Sequence, residues 1–298
     1  MTSCPLRPTE RLYLDDTHLY TTTSTVLAVE PVTVPGDKDS MRFTVVTEAT
    51  VFHPQGGGQP SDVGCIVCDG DAGVTFVVDS VRSGEGGVIY HFGTLASTTD
   101  QHEDGNSSNS SSSCSNCSIC LPFHVGQAVT LEIDADSRRL HSRLHSAGHA
   151  LDVAVLQLGM QLRPSKGYHF QDAPYVEYFG RLLPEAGTAV EVATALTEKM
   201  KTLVEADIPF EVKVTSKVDA AKLLPGGKDD VAHFAEEALV RLVSVGGNLC
   251  LCGGTHVKST GELGMVEVTK IKTKKDVTRI SYRLKVGAEE EVKKCSEV

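Results

Sequence analysis

The 298-residue chain contains no tryptophan, and phenylalanine and tyrosine together account for only 5% of it. Its cores must therefore rest on aliphatic side chains, and each buried aromatic ring carries more than its usual share of the packing. No apolar run approaches the ~20 residues that a membrane-crossing helix needs. The start, Met1-Thr2-Ser3-Cys4-Pro5, has no signal-peptide core, so the expected compartment is the cytoplasm. Positive charge is also short: 28 Lys and Arg stand against 39 Asp and Glu, a net charge of -11. That balance excludes a chain coated in phosphate-binding charge, and any nucleic-acid contact has to be confined to one region. Cysteine is not scarce. The count of nine is odd, however, and the chain is long, so reduced thiols are expected rather than a disulfide framework. One local absence excludes an activity: Ser146, not glutamate, follows His145, and a His-x-x-x-His helix without that glutamate lacks the general base of a zincin protease.

Two histidine motifs remain. In His145-Ser-Ala-Gly-His149 the four-residue spacing puts both imidazoles on one helix face. About a hundred residues later, Cys252-Gly-Gly-Thr-His256 offers a thiolate and a third imidazole from a turn that Gly253 and Gly254 allow to curl tightly. His145, His149, Cys252 and His256 form a nitrogen and sulfur set of the kind that zinc prefers, and one zinc ion is expected. His141 extends the helical series and is left as a surface or RNA-facing residue. Cys65 and Cys68, with Cys114, Cys117 and Cys120, could build a second site. Strand alternation sends the first two to opposite faces, and the other three sit in a serine tract.

A third element is the run Phe52-His53-Pro54-Gln55-Gly56-Gly57-Gly58-Gln59-Pro60. It resembles the glycine-rich loop beside the editing domain of alanyl-tRNA synthetases and of their free-standing relatives, the AlaX family, which also carry the two histidine motifs in this order. Lys166-Gly167-Tyr168-His169-Phe170, Val176-Glu177-Tyr178 and Arg279-Ile280-Ser281-Tyr282 look like segments of the same family. His53 departs from it, standing where an aromatic residue is expected.

The first ninety residues read as short strands punctuated by glycine, proline and aspartate, which suits a small β-barrel. Residues 97–118 are a serine- and asparagine-rich tract unable to bury enough apolar surface to order itself. A helix capped by Asp136 or Ser137 then carries the first motif, with further helices expected at about Thr188–Glu205 and Val231–Ala238. Strands are expected at Tyr175–Phe179, Phe210–Val214, Arg241–Val245, Met265–Ile271 and Arg279–Lys285. The fold class is α+β: a β-barrel domain over residues 1–130 that carries the Gly56–Gln59 loop, with an insertion at about 97–120, then a zinc-binding domain over 131–298 in which helices cover one face of an antiparallel sheet. The resemblance implies the same, namely the editing domain common to threonyl- and alanyl-tRNA synthetases.

From the resemblance, the expected activity is a zinc-dependent aminoacyl-tRNA deacylase acting in trans on seryl- or glycyl-tRNA(Ala). An alanine pocket cannot strongly reject glycine or serine, so a second site has to remove the error. Gly57 and Gly58 are expected to bring backbone amides to the ester, and Gln59 its side-chain amide, where the loop and the metal meet at a cleft between the domains. Lys270, Lys272 and Lys274 fall on one strand face and suit tRNA phosphate contact, or equally a solvated edge guarded by charge. The alternatives are another mischarged tRNA such as seryl-tRNA(Thr), or a non-catalytic zinc adaptor in translation or chaperone complexes. The partner is tRNA and not a membrane, with the chain as monomer or homodimer.

Overall fold

A computed structural model of the chain describes residues 6–34, 37–68, 74–96 and 121–285. The expected insertion at 97–120, with Cys114, Cys117 and Cys120, lies outside the described residues. The chain forms two compact units: residues 1–55 with 61–135, and residues 56–60 with 136–298. The second unit thus includes the Gly56–Pro60 loop, so the loop counts with the metal-bearing unit itself.

The first unit contains β1 (Glu10–Arg11), β2 (Thr21–Val34), β3 (Asp37–Thr47), β4 (Ala49–Thr50), β5 (Gly64–Cys68), β6 (Thr75–Ser83), β7 (Ile89–Leu95) and β8 (Ala128–Ile133). Six of these close into an antiparallel barrel in the order β2-β3-β7-β6-β5-β8, and β1 pairs with β4 alongside. Alternate residues fill the barrel, as the period of two requires: Phe43 and Val45, Ile66 and Cys68, and Val129, Leu131 and Ile133 are all buried. Because β8 runs to Ile133, the division between units falls after Ala135, a few residues beyond the expected boundary. Cys65 and Cys68 differ in burial, as their odd spacing dictates.

The second unit contains α1 (Ala135–Gln157), β9 (Arg163–Tyr168), β10 (Tyr175–Phe179), α2 (Ala189–Glu205), β11 (Glu211–Ser216), α3 (Lys217–Leu223), β12 (Leu239–Val245), β13 (Asn248–Leu251), β14 (Met265–Lys274) and β15 (Val277–Lys285). One antiparallel sheet has the order β14-β15-β10-β9, and a second has the order β11-β12-β13. The two helices and the larger sheet share one apolar cluster. Leu144, Ala147 and Leu151 of α1 and Val192, Leu196 and Met200 of α2 meet Val176, Tyr178, Ile271, Ile280 and Tyr282 of the sheet. The fold is α+β, with a barrel and antiparallel sheets.

Three helix expectations meet the structure differently. α2 starts where its sequence says, because Thr188 and Glu191 form a reciprocal capping box. α1 begins at Ala135, so Asp136 and Ser137 lie inside its first turn and not at the cap position. No helix forms at Val231–Ala238, where the backbone runs through separate turns. The Asp230 carboxylate accepts the Gly226 amide at 2.8 Å and braces the preceding turn instead of capping a helix. The helix of this region is α3, which Ser216 caps by accepting the Asp219 amide at 3.1 Å. Among the described residues no helix is long and apolar enough to cross a membrane.

Candidate metal centre

The four expected ligands converge. One donor atom each from His145, His149, Cys252 and His256 lies within 4.8 Å of every other. α1 presents His145 and His149 on one face, their rings stacked with centroids 5.0 Å apart. The turn after β13 brings the other two, with the Cys252 thiol 3.4 Å from Nε2 of His145 and 3.2 Å from Nε2 of His256. Tetrahedral zinc with bonds of ordinary length separates its donors by about 3.3–3.6 Å, so these spacings fit it. His141 is half-buried and stands outside the cluster.

What decides that the imidazoles face inward is the atom on the other side of each ring. Nδ1 of His145 lies 2.7 Å from Oε1 of Gln59, Nδ1 of His149 lies 3.3 Å from the Cys250 thiol, and Nδ1 of His256 lies 3.3 Å from Oγ of Ser146. Every ring therefore has its outer nitrogen engaged and turns Nε2 toward the shared point. Such outer partners fix the ligand tautomer and ring orientation in metal sites. Nε2 of His149 is buried and has no hydrogen-bond partner among the described residues. An unmet buried polar atom costs about 1–3 kcal/mol, which a metal bond there would relieve. Burial, then the charge of Arg241, lowers the His149 pKa to about 4, so the ring stays neutral as a ligand must be. Burial raises the Cys252 thiol, opposed by the Gly254 amide and by Arg241. Arg241 also donates to the carbonyls of Cys252 at 2.6 Å and Gly254 at 3.2 Å, which holds the turn in shape. One thiol and three imidazoles, with no carboxylate among them, suit zinc.

The glycines of the turn have different duties from the curling expected of them. Neither Gly253 nor Gly254 takes a positive φ. Gly253 faces open space, whereas a Cβ at Gly254 would overlap Cε1 and Nδ1 of His145 and come within 2.8 Å of Oε1 of Gln59. The second glycine is needed for close approach.

In the loop, Gly56 and Gln59 bridge each other through the Gly56 amide at 3.2 Å and the Gln59 amide at 2.9 Å. Gly57 and Gly58, at φ 57 and 80, turn the corner, a conformation that favours glycine. Gly57 is exposed, and the amides of Gly57 and Gly58 are not used in closing the turn. Gln59 is fully buried and not open to a substrate. Its Oε1 accepts the Thr255 amide at 3.0 Å as well as His145 Nδ1–H, and its Nε2 donates to Oγ1 of Thr255 at 2.8 Å. Thr255 is likewise buried and also bonded to Ser142 at 2.7 Å. Lys270, Lys272 and Lys274 are exposed on β14, in the same unit, and are not members of this cluster.

Several residues of the site were not foreseen. Cys250 stands in β13, two positions before Cys252, a spacing visible in the sequence. Asp152, its carboxyl pushed up to about 7 by burial against the bond from the Tyr178 hydroxyl, lies 4.0 Å from Nδ1 of His149. His169 stacks on His145 with ring centroids 4.6 Å apart. The Tyr282 hydroxyl donates to the Leu144 carbonyl at 2.8 Å, so at 2.7 Å it can only accept from Nδ1–H of His169. Nε2 of His169 is thereby left as a lone-pair acceptor, and the ring sits between Gly148 and Gly167, where any Cβ would overlap it.

Because Gln59 braces His145 directly and, through Thr255, the turn that carries Cys252 and His256, Gln59→Ala should weaken zinc binding by about 10- to 100-fold, the usual effect of losing an outer partner. Gln59→Glu, which keeps an acceptor for Nδ1–H, should recover much of it. Competition against a chromophoric chelator reads both, and unchanged affinity in Gln59→Ala would show that the bond has no bearing on the metal.

Residues 240–281, which carry Cys252 and His256, match the threonyl and alanyl tRNA synthetase second additional domain. The chain is similar to the alanyl-tRNA editing protein AlaX-L of Pyrococcus horikoshii, 27% identical over 275 residues, 92% of this chain and 57% of that protein. It is also similar to the alanine–tRNA ligase of Halobacterium salinarum, 26% identical over 291 residues, 96% of this chain and 27% of the ligase. With the ligase of Paraburkholderia xenovorans it is 30% identical over 254 residues, 81% of this chain and 24% of that enzyme. The chain thus spans little more than half the length of the editing protein and about a quarter of the ligases.

Proposed function

We propose that this chain, a relative of the alanyl-tRNA editing proteins, is an aminoacyl-tRNA deacylase that hydrolyses the ester of seryl- or glycyl-tRNA(Ala). The observation that carries the reading is the four-donor centre, whose ligand His145 is held by the glutamine of the glycine-rich loop. An adaptor with a structural zinc would need the four ligands but not a loop that leaves the Gly57 amide exposed.

His145, His149, Cys252 and His256 would hold one zinc ion, which when bound supplies a Lewis acid for an ester carbonyl and a fixed point for orienting the substrate. Gly57 and Gly58 present backbone amides with no side chain in the way, suited to the oxygen on which negative charge develops. Nε2 of His169 offers a neutral acceptor for a hydrogen bond from the substrate or from water, since burial and then His149 hold its pKa near about 3. Thr255 is engaged with Gln59 and Ser142, so the serine hydroxyl of a substrate would be read by another polar group.

The test is a deacylation panel. Zinc-loaded protein should hydrolyse seryl-tRNA(Ala) at least about 100-fold faster than alanyl-tRNA(Ala), because a site that hydrogen-bonds a hydroxyl rejects esters lacking it by large factors. Preference for seryl-tRNA(Thr) would move the substrate within the same chemistry. Hydrolysis of neither seryl- nor glycyl-tRNA(Ala) would overturn the deacylase reading and leave the adaptor.

A further inference from the structure

We propose that the outward face of the β14-β15-β10-β9 sheet is the docking platform for the unpaired 3′ end of a tRNA, with the ladder of Tyr168, Tyr175 and Arg279 as its stacking element. The inference rests on the deacylase reading and adds to it the surface that holds the substrate's nucleotides.

Strand alternation fixes which residues face outward. Val176, Tyr178, Ile280 and Tyr282 are buried in the cluster shared with α1 and α2, so their neighbours in sequence stand on the other side. The register then aligns those neighbours across all four strands. Lys272, Arg279, Glu177 and Lys166 lie in one row, and Lys270, Ser281, Tyr175 and Tyr168 in the next. These two rows carry four cations and one carboxylate, in a chain whose net charge is -11. The shortage of positive charge is therefore reversed on this face, and a polyanion is the partner it complements.

Charge alone would fit any polyanion, but the aromatic groups select a nucleic acid with unpaired bases. Phe170 stacks on Tyr168 with centroids 4.5 Å apart, and Tyr168 on Tyr175 at 5.3 Å, the planes within 17° and 14° of parallel. The Arg279 guanidinium continues the ladder 3.9 Å from the Tyr175 centroid. In a chain with 5% aromatic residues, three stacked rings and a guanidinium on an open sheet face are a concentrated resource. Sheet faces that stack bases on aromatic and arginine planes are how single strands are held without dependence on base pairing. Arg279 is at present paired with Glu177 at 2.6 Å, an exposed ion pair worth little and readily exchanged for a phosphate.

Position ties the platform to the metal. Tyr168 ends β9, and the next residue, His169, is the ring stacked on the ligand His145. His169 is packed on the inner side of the sheet against α1, so a strand of RNA lying along the Tyr175–Tyr168 row on the outward face would bring its terminal ester to the metal centre by turning over the edge strand β9.

The test measures binding of uncharged tRNA by the zinc-loaded full chain across a salt series, so that it does not require hydrolysis. Tyr168→Ala and Tyr175→Ala should each weaken binding by about five-fold or more, because either breaks the stacked ladder on which the bases would rest. Tyr175→Phe should bind as the parent does. Lys166→Ala/Lys272→Ala, at two exposed positions that threaten no core, should lower the slope of log K against log salt by about 1.4. Intact tRNA should bind more tightly than tRNA trimmed of its unpaired 3′ nucleotides. Equal binding of trimmed and intact tRNA, or tyrosine variants of unchanged affinity, overturns the platform even if the ester is hydrolysed. Tyrosine-dependent binding in a protein that hydrolyses no ester keeps the platform and overturns the deacylase reading instead.

Discussion

Cys252→Ala should lose most of the zinc and with it the deacylation of seryl-tRNA(Ala), the largest effect expected of any single substitution. Losing an outer partner weakens a metal site by about 10- to 100-fold, and losing the only thiolate among four ligands must exceed that. The loss also reaches the fold, because His145 and His149 belong to α1 while Cys252 and His256 follow β13, more than a hundred residues on. Metal binding of this kind is partly folding energy, with apparent values of about 10–16 kcal/mol for structural zinc near neutral pH. Without it, the buried Nε2 of His149 has no partner among the described residues and the thiol stays protonated, its pKa raised by burial. Metal analysis of the purified variant, a thermal melt and single-turnover deacylation check the three parts separately. A His145→Ala/His149→Ala protein that still carried a full zinc complement would disprove the assignment of ligands.

The second large effect separates two glycines that look alike in sequence. Gly254→Ala should abolish zinc binding almost as completely as loss of a ligand, whereas Gly253→Ala should be close to neutral. A methyl group at Gly254 would overlap the His145 ring on the side that carries Nδ1, and would press on the Gln59 oxygen that orients it. Neither neighbour is free to retreat. His145 is pinned between the metal point and His169, and Gln59 is bonded on both sides of its amide. The same methyl at Gly253 meets no atom within 4 Å, and its φ is already one that alanine adopts. Zinc content of the two variants, expressed side by side, is the measurement. Full zinc in Gly254→Ala would mean that the turn relaxes far more easily than its bonds to Arg241 suggest.

The sequence by itself picked out the four donors that the structure brings together, because the spacing of His145 and His149 and the cluster of Cys252 and His256 are local patterns that helix and turn geometry translate directly. It determined the outward direction of Lys270, Lys272 and Lys274, and the start of α2 at Thr188, for the same reason: period and cap involve residues only a few positions apart. Only the tertiary structure decided what stands behind each ligand. Gln59 is 86 positions from His145, Cys250 is 101 from His149, and Ser146 is 110 from His256, so no local period connects them. The role of Gln59 changed most, from an amide expected to face an ester to a buried bracket for a ligand. Burial and the number of available partners fix what a side-chain amide does, and both are properties of packing. Likewise Val231–Ala238 has helical composition, but Asp230 was drawn into the Gly226 turn and α3 formed upstream, where Ser216 supplied a cap. The ladder of Tyr168, Tyr175 and Arg279 exists only because strand register sets three distant segments side by side, and register is set by which faces the apolar core buries.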